Sequence, residues 1–128
     1  MKRLLGLTAV LEAGTGLVFM IDPPFFTRIL LGESISGEGL VITRMAGIAL
    51  FVFGLACWPG SERTIATPSG FWAMLIYNLL MTAYLSYVGT GARFVGILLW
   101  PVVALHALLL LLFIGVWVKE RQSPGMEQ

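Results

Sequence analysis

Four strongly polar side chains stand inside stretches that are otherwise apolar: Glu12, Arg44, Asn78 and His106. A carboxylate and an imidazole can hold or pass a proton, a guanidinium can neutralise an acid, and a carboxamide can donate and accept at once. They are far apart in sequence, so any joint chemistry depends on helices that bring them together. Cys57 is the single cysteine, which excludes an internal disulfide and a dithiol centre. With one histidine besides, the donor set is too small for a protein-only metal site, and no metal is expected. Nucleophile-elbow, zinc-protease, P-loop and dinucleotide fingerprints are absent. No residue is assigned a catalytic role. An enzyme is the less favoured class, since only the polar cluster itself, with Glu12 or His106 as acid or base, speaks for one.

The elements that must position these groups follow from hydropathy. The 128 residues are 58% hydrophobic and 12% charged, about half the charge of a soluble domain. The mean hydropathy is +0.90. That composition predicts an all-α fold: an integral membrane four-helix bundle, one domain over residues 1–128, with lipid in place of water. A net charge of +1 gives no basic excess to neutralise phosphates, so no nucleic acid is expected as a partner. The spans are expected near residues 4–21, 40–58, 71–88 and 94–118. The start, MKRLLGL, resembles a signal peptide, but Glu12 interrupts its apolar core and Pro23-Pro24 follow, so a retained helix is expected.

Asp22-Pro23-Pro24 ends the first span, because proline lacks an amide donor and its ring blocks continuation. The same aspartate can cap a short helix, PPFFTRILL, with Pro23 at its first position and Gly32 past its end. That segment is too short to span and is expected to lie in the interface, with Arg28 reaching headgroups. Phe71, Trp72, Tyr84 and Tyr87 look like aromatic anchors of the third span. The tight connection GTGAR makes the third and fourth spans antiparallel neighbours, and Pro101 is expected to kink the fourth. The leucines at 108–112 read as lipid-facing, and the tail KERQSPGMEQ as a frayed end. With the N-terminus cytoplasmic, that side collects Lys2, Arg3, Arg63, Lys119 and Arg121, against Arg28 and Arg93 outside. The positive-inside rule then places both termini inside, in a cytoplasmic (inner) membrane.

At about 1.5 Å rise per residue, Glu12, Asn78 and His106 fall near the middle of their spans, and Arg44 about one turn inside the outer end. An arginine in hydrocarbon costs roughly 2.5–3.5 kcal/mol, so it should face protein, water or an acid. Glu12 admits three readings: a structural ion pair with Arg44, a proton or ligand site, or an acid that burial keeps neutral. Asn78 reads first as helix–helix glue and His106 as a hydrogen-bonded packing group. Thr8, Ala9, Glu12, Thr15 and Gly16 share one face of the first span; Arg44, Gly47 and Gly54 share one of the second. Gly14, Gly16, Gly47 and Gly54 read as packing devices that let backbones approach. Cys57 reads as inert.

The order of apolar helix, PPFFTRILLG segment and Arg44-Met-Ala-Gly47-Ile-Ala-Leu-Phe-Val-Phe-Gly54 resembles the DoxX-like group of small four-helix membrane proteins. This likeness covers about residues 5–58 and implies an accessory or electron-transfer-linked subunit, some relatives serving quinone-linked sulfur oxidation. It carries over Arg44 alone. The stretch Ala9-Val-Leu-Glu12-Ala-Gly-Thr-Gly-Leu-Val-Phe-Met20 is similar to the first helix of small multidrug resistance transporters, whose membrane glutamate exchanges protons for a cationic drug. The tryptophan and glycine pattern of that family's third helix is absent, and Arg44 would compensate the carboxylate that a cation needs.

The function expected is a small multi-pass membrane subunit or accessory protein built on a Glu12–Arg44–Asn78–His106 network. Its cofactor is unknown, with a quinone or lipid as the candidate ligand between helices. Its partners are the bilayer and either further copies of the chain or other subunits. The alternative is a proton-coupled exporter of lipophilic cations using Glu12.

Overall fold

The computed structural model describes residues 1–59, 68–91 and 96–122. Among them the chain is helical without strands: α1 (Lys2–Ile21), α2 (Pro23–Leu31), α3 (Glu38–Ala56), α4 (Pro68–Thr90) and α5 (Leu99–Gln122). All but α2 are long and apolar enough to cross a membrane.

The junction between α1 and α2 forms as its residues dictate. The Asp22 carboxylate accepts the Phe25 N–H at 3.1 Å, Pro23 opens the helix, and Gly32 closes it at φ 81°. That left-handed backbone suits glycine, which has no Cβ to clash. The start of α5 departs from expectation. The helix begins at Leu99, not near 94, so Pro101 lies in its first turn. There a missing N–H has no partner inside the helix to lose, and no kink is required. At the other end α5 runs on through Lys119 to Gln122, so the start of the expected frayed tail is helical.

The four long helices pack as two antiparallel hairpins. In the first, α1 and α3 meet backbone to backbone. A Cβ added to Gly16 would lie 2.5 Å from the Phe51 nitrogen, and one on Gly54 would lie 2.7 Å from the Ala9 carbonyl oxygen. Such glycine seams associate apolar helices by close packing. Gly47 belongs to the same seam, facing the Gly16 carbonyl. Gly14 does not: it is exposed, and nothing lies within 4 Å of where its Cβ would be. In the second hairpin, α4 and α5 stack rings at one end, Phe71 on Phe113 at 5.2 Å and Trp72 on Trp117 at 5.9 Å. Gly89 meets Leu99 and Trp100 at the other end. Phe71 is therefore a core residue and not an outer anchor, whereas Trp72, Tyr84 and Tyr87 are exposed. Leu109 likewise turns inward, while Leu108, Leu111 and Leu112 face out.

Two apolar tiers are buried, of which the first joins the hairpins and the second belongs to α4 and α5 with α2 packed on it. One gathers Leu5, Ala9, Cys57, Phe71, Met74 and Phe113, where α1 begins and α5 finishes. The other gathers Leu85, Leu99 and Val103, with Leu31 of α2 against it. α2 folds over this second end with Pro23, Thr27 and Leu30 buried. It is tied to α5 by the Leu98 N–H donating to the Ile29 carbonyl at 2.8 Å. Gly96 lets the Leu30–Leu31 backbone come within contact, where any side chain would collide.

Candidate functional site

Between the two tiers, roughly halfway along the helices, α1, α4 and α5 bring three polar side chains together. Glu12 is 4% exposed and His106 7%. The Tyr77 hydroxyl donates to Glu12 Oε2 at 2.9 Å. The Tyr77 ring leans on His106 and on Phe53, with centroids 5.8 Å and 5.2 Å away.

The hydrogen positions follow from chemistry. His106 Nδ1 lies 2.8 Å from the Val102 carbonyl oxygen. A carbonyl only accepts, so Nδ1 carries the hydrogen, and in the neutral ring Nε2 is a bare lone pair. Nε2 stands 3.9 Å from Glu12 Oε1, beyond hydrogen-bonding distance. It has no hydrogen-bond partner among the described residues. Buried polar atoms in native proteins are nearly always satisfied, so an orphan nitrogen beside a cavity is free to accept a hydrogen bond from whatever enters it.

That cavity exists. A space of about 110 Å³ is lined by Glu12, Thr15, Tyr77 and His106 and otherwise by apolar groups, including Phe26 and Leu30 of α2. Phe19, Leu50, Tyr77 and Met81 belong also to a wider groove of about 370 Å³, whose remaining walls are Ala46, Ala49 and Phe53. The groove lies between α3 and α4, which belong to different hairpins, and Ala46 and Ala49 on its wall are exposed. The two spaces are thus neighbours that share the four wall residues Phe19, Leu50, Tyr77 and Met81.

The expected network is only half realised. Glu12 and His106 meet, but Arg44 does not join them. It is exposed on the outer face of α3, and among the described residues the one ion pair Glu12 approaches is with His106. The expected Glu12–Arg44 pair is thus replaced. Arg44 is displaced by about 60° around the helix from Gly47, and a seam that tight has no room for a long side chain off its centre line. Asn78 is fully buried, yet its amide donates to the Met74 carbonyl of its own helix at 2.8 Å, and its Oδ1 has no partner. The expected link of Asn78 to Glu12 or His106 is absent. Its neighbour Tyr77 supplies the contact instead. The signal for Tyr77 was in the chain: a tyrosine deep inside a span carries a hydroxyl that must find a partner, unlike those at span ends.

Among the described residues no three histidine, cysteine, aspartate or glutamate side chains cluster to hold a metal ion. What the trio can do is accept hydrogen bonds, and take up or release a proton at the carboxyl or at the imidazole. Compared with known proteins, the chain matches no family model, no curated protein and no solved structure.

Proposed function

We propose that the chain is a small multi-pass membrane subunit or accessory protein that binds a lipid-soluble molecule, a quinone or a lipid, between its two helical hairpins. The observation that carries this is an outer groove that shares four wall residues with a buried cavity lined by Glu12, Tyr77 and His106. Apolar walls with a few convergent polar groups are the usual form of a small-molecule site. Lys2, Arg3, Lys119 and Arg121 gather at the end away from α2. This supports a cytoplasmic membrane with both termini inside; Arg63 and Arg93 lie outside the described residues. Kinship with the DoxX-like group is part of the proposal, on the pattern of Arg44, Gly47 and Gly54. So is work as a homo-oligomer or in a membrane complex, since α3 is the least covered span and presents Arg44 outward.

The test is extraction of the protein purified into lipid nanodiscs, followed by mass spectrometry against empty discs. One quinone or lipid species should be enriched near one per chain. No enrichment of any lipid-soluble species would sink the reading.

One observation favours the second reading, a proton-coupled exporter of lipophilic cations. Arg44 faces away, so the Glu12 carboxyl has no arginine or lysine partner among the described residues. Proton-driven uptake of a lipophilic cation into proteoliposomes, abolished by Glu12→Gln, is the result it requires. Uptake that ignores the substitution removes it.

A further inference from the structure

The geometry points to a ligand that donates: the cavity recognises lipid-soluble molecules whose polar end carries an O–H or N–H group. It discriminates against ones that only accept, such as ketones and ethers. This rests on the reading of the cavity as a binding site and adds which chemistry it selects.

The argument is a count of protons and lone pairs. The Tyr77 hydrogen is spent on Glu12 Oε2. The His106 hydrogen is spent on the Val102 carbonyl. With Glu12 as the carboxylate, Glu12 Oε1 and His106 Nε2 are left over as acceptors 3.9 Å apart, and His106 Nε2 has no hydrogen-bond partner among the described residues. A donor atom placed beside both, about 2.8 Å from each, fits that separation. A hydroxyl gives its proton to one of them, and an ammonium satisfies both. A ketone or ether oxygen would add a third acceptor to two unsatisfied ones, an arrangement that leaves buried lone pairs facing each other. The apolar remainder of the molecule has its place in the groove walled by Ala46, Ala49 and Phe53, whose small residues leave the width that a ring or chain needs.

The experiment is equilibrium binding in nanodiscs, with empty discs correcting for partition, of three matched probes: para-octylphenol, its methyl ether, and the primary amine of the same chain. The phenol or the amine should bind about tenfold or more tightly than the ether, as expected for a hydrogen bond to a carboxylate. Whichever of the two is tighter identifies the donor as hydroxyl or ammonium. Glu12→Gln supplies an amide donor of its own, and should shrink the preference to about twofold or less. Ala49→Trp, on the exposed groove wall away from the core, should weaken all three probes together. Equal binding of all three probes overturns the inference and leaves the cavity reading standing. So does a preference that survives Glu12→Gln. Absence of saturable binding by any probe removes both.

Discussion

Gly14 and Gly16 stand two residues apart on α1, and replacing each by alanine tests how the fold is held. Both substitutions remove the same backbone freedom, which alone favours alanine by about 1 kcal/mol in a helix. They differ in what the new methyl meets. At Gly14 nothing lies within 4 Å, whereas at Gly16 the Cβ would sit 2.5 Å from the Phe51 nitrogen and 2.7 Å from the Gly47 oxygen. Both of those atoms are backbone, so no side chain can swing aside. Restoring ordinary contact means opening the α1–α3 seam by about 0.9 Å, and overpacking of that kind costs about 1–3 kcal/mol. The net expectation is that Gly16→Ala lowers stability by up to about 2 kcal/mol, while Gly14→Ala leaves it unchanged or raises it by up to about 1 kcal/mol. The assay is reversible unfolding in mixed micelles by SDS titration, followed by far-ultraviolet circular dichroism. Glu12 lies one turn from Gly16, so the seam variant should also weaken any ligand held at the cavity. Equal effects from the two substitutions would refute the backbone-contact argument.

Other consequences are as direct. Because Arg44 and Glu12 do not touch, Arg44→Gln and Glu12→Gln should combine additively to within about 0.5 kcal/mol in a double-mutant cycle; coupling above about 1 kcal/mol would reinstate the ion pair. Tyr77→Phe deletes the 2.9 Å bond to Glu12 and should cost about 1–2 kcal/mol in the same titration. The exposed Tyr84→Phe should stay within about 0.5 kcal/mol, and parity between the two would argue against the trio. Gly96→Ala drives a methyl into the Leu30–Leu31 backbone and should lift α2. Thiol labelling of Leu30→Cys in a Cys57→Ala background reads this out as a several-fold faster reaction; an unchanged rate would mean that α2 is not seated by that contact.

Much of the architecture was legible in the residues alone. Four long apolar runs read as helices long enough to cross a membrane, where only internal hydrogen bonding would satisfy their backbones. Asp22, Pro23 and Gly32 delimit α2 by local stereochemistry, which needs no distant partner. The small-residue face of Gly16, Gly47 and Gly54 also announced a close contact, though Gly14 carried the same signal and meets nothing. Where α5 begins was misread because a proline inside an apolar run marks either a kink or a first turn, and hydropathy does not distinguish them.

The membership of the site was decided by tertiary structure. Glu12 and His106 were recognisable as inward groups, since acids and imidazoles avoid an apolar surround unless partnered. Which polar groups meet depends on how far each helix is turned about its own axis and slid along its neighbour. Hydropathy constrains that rotation only to the width of an apolar face. In this fold the glycine seam sets it for α1 and α3, turning Arg44 outward. The ring stacking of Phe71 on Phe113 accompanies the α4–α5 pairing that places Tyr77, and not Asn78, against the carboxyl. Types and spacing thus determined the helices and the need for partners, while the interlocking of one backbone with another chose the partners.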